Sequence, residues 1–393
     1  MKNKFEIMDL GIHPYADTFI KKNQLSKSEP IFPLKCYLDK SNSMIYNSII
    51  TNEQDRYNLY EYSYTSSNSK FSKDYWVSYS KQIIKEFKIT SNTKILEIGS
   101  NDGYLLKQFK KKTSKILGFD ASSFMSRIAN KNKIKTINGV FNKKNSQFLL
   151  KKYGKFDLII ANNVLNHAND PFDFTEGVKK ILSKKGTFIF ELPYWYNLIR
   201  MKKFDQIYHE HVSYMTVKSS FNLLKKTKLE ISKVEETHYH GGSIRVFSHH
   251  SKKILLNKNV INFIKKEEKL KLFNIETYKR FMRVLDLKKI KFLKKVLNYK
   301  SKGYKIVGIG AAAKANTFLN YIGLNSLIID FITDTSKYKI GKYTPLTRIP
   351  IYNDYILKNL GNKICVIPLA WNLGYMLERK LKKINKNLKF LRF

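Results

Sequence analysis

Ile95-Leu96-Glu97-Ile98-Gly99-Ser100-Asn101-Asp102-Gly103 is the stretch on which the fold turns. Lys94 to Ile98 reads as a short apolar strand, and Tyr104 to Lys110 as a helix. Between them lies a glycine turn that lets a ligand approach the backbone. The turn has the form G-x-x-x-G, so it is neither the G-x-x-x-x-G-K-[ST] of a phosphate-binding loop nor the G-x-G-x-x-G of a dinucleotide fingerprint. The acidic Glu97 ahead of it would repel a pyrophosphate and suits a cationic or zwitterionic ligand. Ile116 to Phe119 gives a second strand ending at Asp120, about twenty residues on, where a carboxylate can accept from a ribose diol. Further elements follow in alternation: a helix through Met125 to Ala129, a strand over Phe156 to Ala161 ending at Asn162 and Asn163, and a strand over Phe188 to Leu192. Such alternation predicts a parallel sheet with helices on both faces.

This set resembles the class I S-adenosylmethionine-dependent methyltransferases. The resemblance assigns Glu97, Gly99, Asn101 and Gly103 to the turn around the methionine moiety. It makes Asp120 the ribose acid, puts Phe141 beside the adenine, and sets Asn162 and Asn163 at the end of the fourth strand.

A second signal lies downstream. Tyr208-His209-Glu210-His211 puts a phenol, a carboxylate and two imidazoles within four residues, beside the predicted cofactor pocket. Histidine moves protons near neutral pH, and Glu or Tyr can orient it or donate to an oxyanion. His209 and His211 could also ligate a metal, but two ligands at i, i+2 with no third partner make a weak site. With its neighbours, this string is similar to the signature of the sugar C-methyltransferases that act on nucleotide-linked keto-deoxysugars. Asp9 to Phe19, His240-Gly241-Gly242-Ser243-Ile244-Arg245, and Gly308 to Thr317 with Asp334 and Lys339 to Tyr343 resemble further segments of that family, in its own order. The resemblance implies that His211 is the base that forms an enolate. Glu210 and Tyr208 would orient it or stabilise the enolate, with Tyr64, or its rival Tyr62, reaching in from the N-terminal domain. It also implies a nucleotide-diphosphate sugar as substrate, held by Arg245, Gly310, Lys314 and Asn316. One departure stands out. Members of that family hold a structural zinc through two Cys pairs. Here the first pair is missing ahead of Asp9, and Cys36 has Asp39 where its partner would be, so no zinc or other metal is expected.

The expected fold class is therefore α/β: a class I methyltransferase Rossmann-like domain with a small N-terminal domain and a second Rossmann-like C-terminal domain. The N-terminal domain is drawn over residues 1–80, which include the tyrosine run Tyr57, Tyr60, Tyr62 and Tyr64, and the methyltransferase domain over 81–250. A linker over 251–300 carries amphipathic helical spacing, and the C-terminal domain covers 301–393. There the strand Lys305 to Gly310 leads into a helix over Ala311 to Tyr321, and Ile328 to Phe331 and Cys365 to Pro368 look like later strands.

Composition bounds the alternatives. The chain has 393 residues, enough for several cores, with 43% hydrophobic content. Two cysteines, Cys36 and Cys365, exclude a disulfide framework. No run is apolar enough to span a membrane, and the first residues lack a signal-peptide core, so the expectation is a soluble cytoplasmic protein. The net charge of +42 would ordinarily suggest nucleic acid. However, 64 of the 73 basic residues are lysines, spread from end to end, whereas base readers favour arginine forks. The runner-up reading is an O- or N-methyltransferase acting on another small molecule or RNA. A non-catalytic binding protein of the same fold comes third.

Overall fold

The strand Ile95–Ile98 is buried along its whole length, as the continuous apolar run requires when both faces of a parallel sheet are covered. In the computed structural model, which describes residues 3–58, 62, 64–67, 69–371 and 374–393, it is an interior strand of a seven-stranded sheet, between Phe156–Asn162 and Ile116–Asp120. Across the sheet the order is Leu229–Thr237, Ser243–His250, Leu182–Pro193, Phe156–Asn162, Ile95–Ile98, Ile116–Asp120 and Thr136–Asn138. Numbered along the domain this is 6-7-5-4-1-2-3. Only Ser243–His250 runs against its neighbours. This is the class I methyltransferase arrangement, and its switch point lies between Ile95–Ile98 and Phe156–Asn162, where open α/β sheets bind ligands. The helices start on local signals. Ser122, Asn142 and Asp170 each accept an N-terminal backbone N–H through the side chain, and Pro171 opens its helix.

The expected boundary at residue 80 falls inside a helix, Lys70–Glu86, capped by Ser69. Its Tyr75, Trp76, Tyr79 and Ile83 pack with Ile95, Leu158, Ile189 and Phe247, so this helix belongs to the methyltransferase sheet. Ahead of it, Lys4–Pro14, Ile31–Asp39 and Met44–Asn47 form an antiparallel sheet. Its fourth strand, Ser213–Tyr214, is lent by the methyltransferase domain just after His211. Asp39 is taken up in a turn, accepting from Ser41 N and Oγ, and Cys36 lies on the buried face. Tyr60 lies outside the described residues.

The linker forms two helices, Lys258–Lys269 and Ile275–Ser301. Beyond it, Ile351–Asn353, Phe331–Asp334, Lys305–Ile309, Ile364–Pro368 and Lys389–Phe390 make an all-parallel five-stranded sheet. The strand expected over Ile328 to Phe331 begins only at Phe331. Ile328 and Ile329 are held in a turn by Asn325, and Asp330 accepts from Ile306 N and Lys300. The helix Ala313–Ile322 is buried nearly all round. Phe204, Phe292, Phe318, Trp371 and Phe393 form a ring cluster that seats this helix beside the segment carrying Tyr208 and His211. Among the described residues, no helix is long and apolar enough to cross a membrane.

Candidate active site

A cavity enclosing about 1200 Å³, open mouth included, sits at the switch point of the seven-stranded sheet. One end is lined by Gly99, Asn101, Asp120, Phe141, Asn162 and Asn163, the other by Tyr62, Tyr64, His167, Tyr208, Glu210, His211 and His240.

At the first end, Gly99 has φ +70°, and a Cβ there would stand 2.1 Å from Val164 Cγ2. Asn101 N donates to Asp120 Oδ2 (2.8 Å), and Ser122 N donates to Oδ1 (2.8 Å). These bonds aim the Asp120 carboxylate, while burial raises its pKa to about 6. The Asn101 side chain donates to Tyr64 O and accepts from Ser66 N, tying the tyrosine segment over the turn. Phe141 meets Phe119 and Phe174 edge-on. Glu97 lies behind the lining. Burial first, then Asp102 and Asp120, push its pKa well up, and its Oε2 has no hydrogen-bond partner among the described residues. Asn163 Oδ1 is orphaned too. Unpartnered acceptors around a glycine turn, with an aimed carboxylate beyond, fit a zwitterion joined to a ribose. Gly103 differs from its expected role. It does not line the cavity, and its φ of +76° and the 2.9 Å a Cβ would leave to Ile134 make it a packing turn at the start of helix Tyr104–Phe109.

At the second end, His211 Nδ1 lies 2.7 Å from Gln206 O. A carbonyl only accepts, so Nδ1 carries the hydrogen and Nε2 presents its lone pair. That lone pair meets Tyr208 Oη at 2.7 Å, so the phenol donates to it. Burial, chiefly, holds the imidazole neutral, with its pKa down to about 3. Glu210 Oε1 accepts from Asp17 N (2.9 Å) while Oε2 has no hydrogen-bond partner among the described residues, and burial raises its pKa to about 7. Tyr62 and Tyr64 both line the cavity, and Tyr64 Oη pairs with Tyr239 Oη (3.1 Å). His209 faces away, edge-on to Phe32 with Nε2 near Phe32 O, so the two histidines share no ligand. Among the described residues, no three His, Cys, Asp or Glu are grouped as a metal site.

Two site residues escaped the sequence reading. His167 Nδ1 bonds Tyr57 Oη (2.9 Å), and its ring stands edge-on to His211, 4.8 Å between centroids. Its one signal was its place just after Asn162 and Asn163 at a strand end. His240 lines the cavity with φ +53° and, buried, is neutral with a pKa of about 3. It opens the Gly-Gly-Ser turn, whose last residue had drawn attention instead.

That last residue, Arg245, is a correction. It does not open on the cavity. Its Nε donates to Glu191 Oε2 (2.9 Å), Nη1 to the half-buried Gln82 (2.8 Å) and Nη2 to the buried Tyr75 Oη (3.0 Å), between the sheet and its covering helix. The C-terminal turn also differs in part. Ala313 is its residue on the cavity. Gly310 packs against Ala370, and Asn316 spends its amide on Ala16 O. Lys314 is buried 3.7 Å from Asp205 with its Nζ outside hydrogen-bond range of any partner, and burial lowers its pKa.

Comparison with known proteins agrees with this geometry. A family model described as a methyltransferase domain matches residues 76–234, and one described as a C-methyltransferase C-terminal domain matches 238–391. With the fold, these matches make the chain a methyltransferase that uses S-adenosylmethionine. The chain is 24% identical over 359 residues to the C-methyltransferase NovU of Streptomyces niveus, covering 88% of this chain and 83% of that protein. This similarity supports C-methyltransferase activity in particular. The ubiquinone biosynthesis O-methyltransferase of Pelagibacter ubique (strain HTCC1062) is 34% identical over 116 residues, 27% of this chain and 47% of that protein. Among solved structures, the magnesium protoporphyrin IX methyltransferase ChlM of Synechocystis PCC 6803 with bound SAH matches with a TM-score of 0.37 at 14% identity, over 46% of this chain and 83% of that one.

Proposed function

We propose that this enzyme methylates a carbon next to the keto group of a nucleotide-linked keto-deoxysugar. The observation that carries the reading is that the Tyr208–His211 pair and the Glu210 carboxylate share one cavity with the Gly99 and Asp120 cradle. S-adenosylmethionine, when bound, supplies an electrophilic methyl group to a nucleophile. Asp120 would take its ribose hydroxyls, Glu97 and Asn163 the methionine end, and Phe141 the adenine side.

A carbon acceptor has no lone pair, so the protein must generate one. The α-proton passes to the Tyr208 oxygen as the phenol proton moves to His211 Nε2. The products are an enolate and an imidazolium, a separated charge pair with the net charge unchanged. His211 is the base in this scheme and the phenol its conduit. The neutral imidazole supplies the needed lone pair, and an ionised Glu210 beside the pair favours the imidazolium. Tyr64 or Tyr62 would donate to the enolate oxygen. Lys314, whose charge already reaches His211 and His240, would hold the diphosphate with the N-terminus of helix Ala313–Ile322. The O-methyltransferase relative shares only part of the cofactor domain, so it supports the cofactor and says little about the acceptor.

Mass spectrometry of the protein with S-adenosylmethionine and a panel of nucleotide-linked 4-keto-deoxysugars, run also in deuterated water, tests this. The expected result is one added CH₂ on a sugar, with α-deuterium exchange that His211→Ala slows by about 10²–10⁴-fold. Intact cofactor binding with neither event across the panel would refute it in favour of an oxygen or nitrogen acceptor.

A further inference from the structure

The segment that carries Tyr208 and His211 is short, irregular and without a secondary-structure ladder of its own, yet its side chains must meet within hydrogen-bond distance. A turn bond from His211 N to Tyr208 O (3.0 Å) is its own, and its backbone carbonyls are further held from outside. The Asn47 side-chain amide, in the N-terminal sheet, donates to Tyr208 O (3.0 Å) and to His211 O (2.6 Å), while Asn47 N donates to Val212 O (2.9 Å). Its Oδ1 accepts from Tyr214 Oη (3.1 Å). Every polar group of this buried residue except its own carbonyl thereby meets residues 208–214, with Oδ1 accepting from Cys36 Sγ (3.9 Å) as well. From the opposite side, Thr317 Oγ1, in the C-terminal domain, donates to Ile207 O (2.8 Å). Gln206 O receives the His211 Nδ1 hydrogen. Three successive carbonyls, 206, 207 and 208, thus meet the base, the C-terminal domain and the N-terminal domain in turn.

We infer that Asn47 and Thr317 are positioning residues through which the two flanking domains set the geometry of the Tyr208–His211 pair. The amide fork of Asn47 bridges the carbonyls of residues i and i+3, the same two residues whose side chains form the pair, so it braces the turn that His211 N closes onto Tyr208 O (3.0 Å) and with it fixes their separation and relative rotation. Thr317 fixes the carbonyl next to the one that sets the His211 tautomer. This goes beyond the domains' expected parts as a degenerate zinc module and a sugar-binding module, and its consequence for turnover rests on the C-methylation reading above.

The test uses the full-length chain and two readouts. In ¹⁵N-histidine-labelled protein without substrate, His211, assigned by its loss in His211→Ala, should show a protonated Nδ1 and a bare Nε2. Asn47→Ala should shift or broaden those signals. Thr317→Val, which removes only the hydroxyl, should do the same to a smaller extent, and Thr317→Ser should restore them. Turnover should fall with the same order, by about tenfold or more for Asn47→Ala as misplaced groups do, while S-adenosylmethionine affinity stays within about twofold. Wild-type His211 signals in both Asn47→Ala and Thr317→Val would overturn the inference, even if turnover fell in proportion to folded protein. Wild-type turnover in both would do the same. Should the wild type methylate no keto sugar, the functional reading fails alone, and the His211 signals still decide the role of Asn47 and Thr317.

Discussion

Replacing Arg245 with methionine separates two roles that look alike in sequence. The guanidinium is 3% exposed and Glu191 is fully buried. Arg245 makes three hydrogen bonds of 2.8–3.0 Å to Glu191, Gln82 and Tyr75, and lies 4.2 Å over the Tyr79 ring. Tyr75 Oη donates to the other Glu191 oxygen at 2.6 Å. Methionine fills most of the volume but strands the Glu191 charge with a single donor. Breaking a buried pair in this way costs about 3–5 kcal/mol. At roughly 2–4 °C per kcal/mol for a domain of this size, the melting temperature should fall by about 6–20 °C. S-adenosylmethionine affinity of the folded fraction at low temperature should be unchanged, because Arg245 is absent from the cavity lining. Adding Glu191→Gln to the same chain removes the stranded charge and should recover at least half of the loss. Differential scanning calorimetry of the four proteins of the cycle measures all of this. If Arg245→Met melted within about 2 °C of wild type and instead raised the sugar KM, Arg245 would be a substrate anchor and the ion-pair reasoning would be wrong.

Two further outcomes concern the cofactor. With the Asp120 pKa raised to about 6 by burial, the carboxylate that accepts a ribose diol is lost on acidification, so S-adenosylmethionine affinity should be flat above about pH 7 and weaken by up to tenfold per unit below pH 6. Calorimetric titration should show this for wild type and a weak, pH-independent affinity for Asp120→Asn; an unchanged wild-type affinity at pH 5 would contradict it. Gly99→Ala, with positive φ and a 2.1 Å clash against the lining residue Val164, should weaken cofactor binding about tenfold or more. Gly103→Ala should lower the melting temperature through Ile134 and leave affinity within a few-fold.

The contrast between those two glycines shows where the sequence stops being informative. Both sit in one turn with φ near +70°, and nothing local distinguishes them. Only the neighbours do, and these come from Val164 in one case and Ile134 in the other. The strand–turn–helix around Gly99, the Asp120 strand end and the alternation up to Leu192 were legible because each is a local pattern of burial and turn chemistry. The cofactor end of the cavity is built almost wholly from such strand ends. The other end is not. Asn47 meets His211 across 164 residues, Asn316 meets Ala16 across 300, and Ser213–Tyr214 leaves one domain to finish another's sheet. Arg245 was misread for the same reason: a cation after a glycine turn looks like an anion site until Glu191, 54 residues earlier, is found beneath it.

Charge gives the same lesson in a different quantity. The chain carries +42 overall, yet among the described residues the lining of its cavity contains Asp17, Glu53, Asp120 and Glu210 and neither lysine nor arginine. His211 and His240 stay neutral in it with pKa values near 3, and His167 lies well below its usual range. The excess lysines therefore belong to the outer surface, where screening within about 8–10 Å in physiological salt leaves them little to say about the site. A cavity with Asp120 at the cofactor end, and Glu210 beside uncharged imidazoles at the other, suits a cationic ligand and proton transfer. An anionic substrate would find its countercharge in Lys314, which sits behind Ala313 against Asp205. The +42 that first suggested nucleic acid thus has no counterpart where the chemistry takes place.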